Sequence, residues 1–388
     1  MNNTLRIVYL IGNGFDIQVF NYLNKPVNTS YRDFFNFINW KYSKEIESNI
    51  IVRRMSEKRN NGVKGWSDFE SVLGLMLKEE FEMAGPGINV AHYNEALSRL
   101  QFYFSDFLNT IVSTDILEAV NDLSKEVDHN LSNGFRESLP LSTLGYFLQD
   151  LTPEERESMK CREKINHHIE IDYTFLNFNY TALFDNYITL DKFNFDPRVY
   201  INSENNFHFQ KPRRENRKDP VFTKIKTRIF HPHGFQHTPR SMLFGFDNIQ
   251  QVDESITEVT YGSKAVPDFA KPFLKPYWAE NEKYYENYLS AADLFVVFGH
   301  SIGETDAYWW KRIMKNLNEE KSELIIYNYA INDTQSEKEQ VRDKFLRNTN
   351  VEPSQVGDSV KERIFVVNIN DERERFAFQI DKEKLKKL

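Results

Sequence analysis

Cysteine is all but missing from this chain. Cys161 is the only one in 388 residues, so no intramolecular disulfide can form. A reducing, cytoplasmic setting is the expectation. Long apolar runs are also missing. No stretch approaches the ~20 apolar residues that a membrane-spanning helix needs. The first apolar run begins within six residues of the start and is too short for a secretory leader, so none is expected. An excess of positive charge is absent too. The net charge of −8 excludes a surface that as a whole binds nucleic acid or anionic membrane, although local patches survive it. Repeats and low-complexity tracts are lacking. What is present is apolar bulk: 40% hydrophobic residues, 14% aromatics and 32 Phe, ample for a large core in one or two domains.

Six short, near-continuously apolar runs predict strands at 5–11, 173–178, 227–231, 293–298, 323–328 and 363–368. Such runs suit strands covered on both faces, hence a mostly parallel sheet flanked by helices, an α/β Rossmann-like fold. Met242 to Phe246 reads as a further strand or an edge. A long insertion follows the first strand, at about 30–165, and leaves 1–29 and 166–388 as the core. Helical patterns run over 30–58, 66–83 and 91–127, and Gly85-Pro86-Gly87 separates the last two. We expect a helical subdomain leaning over the sheet. Residues 202–226 read as a polar loop with a basic cluster from Lys211 to Lys218. That cluster is either a phosphate contact or a solvated mixed-charge loop. A basic tail runs from Lys382 to Leu388.

Four predicted strands end in loops with unusual residues, and in open α/β sheets ligands collect at the carboxyl ends of strands. The first loop is Gly12-Asn13-Gly14-Phe15-Asp16. Its two glycines permit close approach or φ > 0, and its helix start could meet phosphates with backbone N–H groups. The alternative is a tight turn without ligand, with Asp16 as a helix cap. The second holds Asn179, whose carboxamide can hold a water or a ribose hydroxyl or can shape a turn. The third is His231-Pro232-His233-Gly234. Two histidines at i, i+2 would share a strand face, but no cysteine or carboxylate accompanies them at ligand spacing, and no metal is expected. His233 is instead a candidate general base. The fourth, Gly299-His300-Ser301-Ile302-Gly303, fits a nucleophile elbow. No histidine follows His300, so a Ser301 triad in hydrolase order cannot be completed. The same loop suits a phosphate or ribose cradle.

Taken together, these blocks resemble the AbiH family of bacterial abortive-infection proteins. The resemblance rests on Leu10 to Asp16, Thr29 to Phe34, Trp66 to Glu70, Phe178 to Thr181, His231 to Gly234 and Phe298 to Asp306. That family is in turn similar to sirtuin-like domains, and the resemblance implies an NAD-binding core and phage defence. It implies that Gly12, Asn13, Gly14, Phe15 and Asp16 approach the dinucleotide, and that Asn179 sits by the nicotinamide ribose. It implies that His233 is the base, that Gly299 and Ser301 meet the phosphates or the adenosine ribose, and that His300 and Asp306 belong to the cofactor-binding set. Residues 17–28 lack the glycine usual in the family. The Cys-x-x-Cys pairs of deacetylase sirtuins are missing, so the resemblance favours NAD hydrolysis over lysine deacetylation. The alternative is a nucleotide-binding sensor or scaffold that leaves its ligand intact. An NAD-cleaving enzyme of this kind implies gating, by a phage-derived trigger, by oligomerisation or by the insertion covering the cleft. Trp66, Asp68, Phe69 and Glu70 either reach toward that cleft or form a helix start capped by Ser67 or Asp68.

Overall fold

The computed structural model describes residues 4–380, apart from 46, 86–87, 124–125, 130–134, 165–169, 190–197, 204–205, 211–221, 248, 253–268, 371–372 and 374. The chain is mostly helical around one large sheet. Its strands are β1 (Thr4–Ile11), β2 (Glu126–His129), β3 (Phe135–Ser138), β4 (Glu170–Asn177), β5 (Arg198–Ser203), β6 (Asn206–Gln210), β7 (Phe222–Phe230), β8 (Leu294–Phe298), β9 (Glu323–Tyr329) and β10 (Ile364–Ile369). The sheet order is β10-β9-β8-β1-β4-β7-β5-β6. The six strands from β10 to β7 are parallel throughout, and the β5–β6 hairpin joins antiparallel at the β7 edge. All six predicted strands are present, which confirms the α/β Rossmann-like reading. Counting only the parallel strands in chain order, the sheet runs 3-2-1-4-5-6. The order therefore reverses between β1 and β8, where doubly wound folds bind their ligands.

Alternation along each strand explains why the runs look uniformly apolar. Ile7, Tyr9 and Ile11 of β1 join one hydrophobic cluster with Tyr173, Phe175, Val296 and Phe298. Val8 and Leu10 face the opposite cluster with Phe295, Val297, Trp309 and Trp310. With side chains at period two and cover on both faces, Ile7 to Ile11 of β1 and every position of β8 are buried.

The helical insertion divides differently from its sequence outline. The pattern over 30–58 is two helices, α2 (Tyr31–Lys41) and α3 (Ile50–Asn60), the second capped by Asn49. Two further helices, α4 (Phe69–Ala84) and α5 (Ala91–Ile111), follow. The helical pattern over 91–127 breaks after Ile111, and a separate helix, α6 (Thr114–Leu123), resumes beyond it. Helices α2 to α5 pack around Phe34, Phe69, Phe104 and Phe107 in a cluster that also takes in Met242, Phe244, Phe246 and Phe273. From Val112 to Cys161 the buried residues instead cover one face of the sheet. Met242 to Phe246 is not a strand; Phe246 makes one isolated bridge to Leu274. Much of the predicted polar loop at 202–226 is occupied by parts of β5, β6 and β7, while the basic cluster at 211–218 and the tail at 382–388 lie outside the described residues. Among the described residues no helix is long and apolar enough to cross a membrane.

Candidate functional site

Strand register brings the signature loops together. Ile11 at the end of β1 pairs with Asn177 of β4 and with Phe298 of β8. Leu176 in turn pairs with Phe230 of β7. Four loops far apart in sequence therefore leave the sheet side by side.

The two loops flanking the switch point interlock through glycines. Gly12 N–H donates to Phe298 O and Gly14 N–H to Gly299 O, both at 2.8 Å. A Cβ on Gly12 would lie 2.5 Å from Gly299 O, and one on Gly14 would lie 2.6 Å from Gly299 Cα. Gly299 itself has φ +65°. These glycines let two backbones touch, and no bulkier residue could stand there without moving a loop. Beyond Gly299, Ile302 is buried with φ +49°, a strained state for a β-branched side chain. Asn348 Nδ2 donates to Ile302 O, and Lys344 Nζ to Ser301 O, each at 2.6 Å, so helix Gln335–Asn348 holds this loop.

Above the interlock lies a cavity of about 980 Å³, lined by the loops after β1, β4, β7 and β8, by the end of β9 and the helix Gln335–Asn348, and by the starts of α2 and α4. Two buried acid networks face it. In the first, Asp16 accepts from Asn179 Nδ2 at 3.2 Å and Thr181 Oγ1 at 2.6 Å. Asp16 lies inside helix α1 (Gly14–Tyr22) and makes this cross-loop tie in place of a cap. Burial pushes its carboxyl up to about 7, against the opposing pull of Thr181. Asn13 is tied as well, through Thr29.

The second network centres on Asp306. Lys275 Nζ, almost fully buried, sits 2.8 Å from Asp306 Oδ1 and 3.6 Å from Glu70 Oε2. His233 Nε2 and His300 Nε2 lie 3.5 and 3.6 Å from the two Asp306 oxygens. The Phe178 ring packs edge-on against both imidazoles at 5.0 and 5.2 Å. Burial works to raise Asp306, but Lys275 and the histidines outweigh it and hold the carboxyl below its usual range. Burial likewise opposes the Lys275 ammonium, and Asp306, Glu70 and Asp247 more than restore it. Glu70 is pushed up to about 7 and Asp247 well above its usual value, both by burial with Lys275 opposing. The cluster thus holds one firm ion pair and two carboxyls driven toward the neutral form, as burial of charge demands. Burial and then Lys275 bring His233 down to about 3, and burial lowers His300.

Gly12, Asn13, Gly14, Asp16, Asn179, His233, Gly299, His300, Ser301 and Asp306 all line the cavity. Phe15 does not; its ring packs in the core against Phe184, Tyr187 and Phe378. His231 and His233 part company. The ring of His231 bridges Asn179 O and Asp185 Oδ1, whereas His233 faces Asp306. His300 is turned to Asp306 and accepts from Ile302 N–H, so it does not serve Ser301. Asp68 caps α4 through Ser71 N–H and also lines the cleft, as Glu70 does, whereas Phe69 is core and Trp66 packs on Phe35. Lys275 and Asp247 were not legible beforehand. Each is a lone charge beside apolar residues, and an isolated charge in the runs Phe273 to Tyr277 and Phe244 to Asp247 is the one signal that could have found them.

No match was found among curated proteins. The model of the family described as bacteriophage abortive infection AbiH matches residues 8–329, a span that contains the glycine loops, both acid networks and β9, and the chain belongs to that family.

Proposed function

We propose that this abortive-infection protein binds NAD in the switch-point cleft and hydrolyses it at the nicotinamide–ribose bond. One observation carries the reading furthest. Asn179 Oδ1 and His233 Nε2 are buried without a hydrogen-bond partner, and both residues line the cavity of about 980 Å³. Buried polar atoms left unpaired are costly, and a polar ligand would satisfy both. The cavity is large enough for a dinucleotide and lies where a 3-2-1-4-5-6 sheet receives one.

Cleavage of this bond passes through an oxocarbenium-like state and needs little acid assistance, because the departing ring is already cationic. What helps is a fixed substrate and a placed water. Asn179 would orient the water or a ribose hydroxyl, and neutral His233 would take the proton, its imidazolium then steadied by Asp306 at 3.5 Å. Purified protein is expected to consume NAD, and His233→Ala and Asn179→Ala each to lose about 10²- to 10⁴-fold in rate. Equal rates in all three would overturn the assignment. A binding-only role draws support from the low basicity of His233. A thermal shift with NAD and ADP-ribose, with both recovered intact, would establish that reading instead.

A further inference from the structure

The carboxylates at the main cavity have internal partners, and its cations hold donors in reserve. Asp16 is tied to Asn179 and Thr181. Asp33 accepts from Asn28 N–H at 2.9 Å, Asp68 from Ser71 N–H at 3.1 Å, and Glu70 from Gly245 N–H at 3.2 Å. Asp306 holds Lys275. Lysine and arginine occur twice among the described lining residues, at Arg32 and Lys344. No partner within hydrogen-bond or ion-pair distance is seen for Arg32 among the described residues. Lys344 donates to Ser301 O, which leaves two of its three N–H donors. The glycine loop, by contrast, has little left to offer an anion. Gly12, Gly14 and Phe15 N–H all donate to backbone carbonyls, at 2.8, 2.8 and 3.1 Å. In dinucleotide folds that turn meets the pyrophosphate.

We propose that Lys344 and Arg32 form the anion anchor of this cavity and take the phosphates of a phosphate-bearing nucleotide. The choice of ligand rests on the dinucleotide reading, but the anion site itself does not. Partial burial lowers the Lys344 ammonium below its usual value, a cost that a bound anion would offset. Arg32 lies in the first turn of α2, in the helical insertion, and Lys344 lies on the helix after β9. A phosphate held by both would tie the insertion to the helix that follows β9.

Isothermal titration of the full chain with inorganic pyrophosphate, ADP-ribose, adenosine and NAD tests this. Pyrophosphate and ADP-ribose are expected to bind, and more weakly as salt rises. Lys344→Met and Arg32→Met are each expected to weaken ADP-ribose about 10- to 100-fold, as loss of a charge-assisted hydrogen bond does. Adenosine binding should be unchanged, and Lys344→Arg should retain most of the affinity. Arg32 is exposed, so an unchanged melting midpoint of Arg32→Met without ligand confirms a folded control. Unaltered ADP-ribose affinity in the double variant, or no binding of either phosphate ligand, overturns the proposal. Pyrophosphate binding that the double variant loses, with NAD neither bound nor cleaved, upholds the anchor and overturns the dinucleotide reading. NAD cleavage at equal rate and affinity in the double variant does the reverse.

Discussion

The two acid networks of the cleft sit on neighbouring loops and solve the burial of a carboxyl in different ways. Asp16 has neutral partners, Asn179 and Thr181, and its carboxyl drifts up to about 7. Asp306 has a buried ammonium at 2.8 Å and is held ionised. Hydrogen bonds from amide and hydroxyl reduce the cost of burying a charge but do not cancel it, so Asp16 stays free to titrate. A cation in the same shell fixes the Asp306 charge, while burial, reinforced by Asp306 itself, drives the neighbours Glu70 and Asp247 toward neutrality against the pull of Lys275. One network is a proton-sensitive tie between loops and the other a fixed charge against which two histidines are set.

Four substitutions sharpen or break this contrast. Lys275→Met carries the largest expected effect, because it strands Asp306 in the interior. A loss of about 3–5 kcal/mol is expected from urea unfolding, partly recovered by adding Asp306→Asn. A loss below about 1 kcal/mol, the range of an exposed pair, would mean the charge is not fixed by Lys275. Next comes Asp16→Asn, read through pH. The unfolded aspartate titrates near ~3.9 and the folded one near 7, so the wild-type chain loses stability as pH rises between these values and levels off above them. The Asp16 share has a ceiling of ~4 kcal/mol and should vanish from the pH profile of the variant. A profile parallel to wild type would show that Asp16 is ionised throughout. His233→Gln works in the opposite direction. The folded imidazole resists protonation down to about 3, whereas the unfolded one takes a proton below ~6.5. Wild type should therefore lose about 3 kcal/mol to this group on acidification to about pH 4, and the variant should not. The smallest effect is expected for Thr181→Val, about 1–2 kcal/mol near neutral pH. It should shrink in acid as Asp16 becomes neutral and needs its donor less.

How much of this could be read from the chain itself depends on whether the deciding interaction is periodic. The six parallel strands were legible because burial on both faces leaves an unbroken apolar run, as in Phe295 to Phe298. Cleft residues such as Asn179 and His233 were legible because strand ends in a parallel sheet point one way. The β5–β6 hairpin was not, because its apolar signals are short, Val199 to Ile201 and then Phe207 and Phe209 alternating with polar residues, and they border the charged stretch from Lys211 to Lys218. Lys275 and Asp247 were missed for another reason. Their role comes from interactions with Asp306 and Glu70, made only when segments 31 to 205 residues apart meet, and neither has spacing to a partner. Phe15 illustrates the converse: a residue inside the right motif whose side chain serves the core.

The apolar cluster of α2 to α5 is completed by Met242, Phe244, Phe246 and Phe273. This has a consequence for how the protein is made. During synthesis the four helices emerge long before the residues that close them. At ribosomal speed the aromatic face around Phe69 and Phe104 waits on the order of ten seconds uncovered. The insertion is thus a segment that finishes folding late despite emerging early, and the sheet's third and fourth parallel strands are made around the time it is sealed.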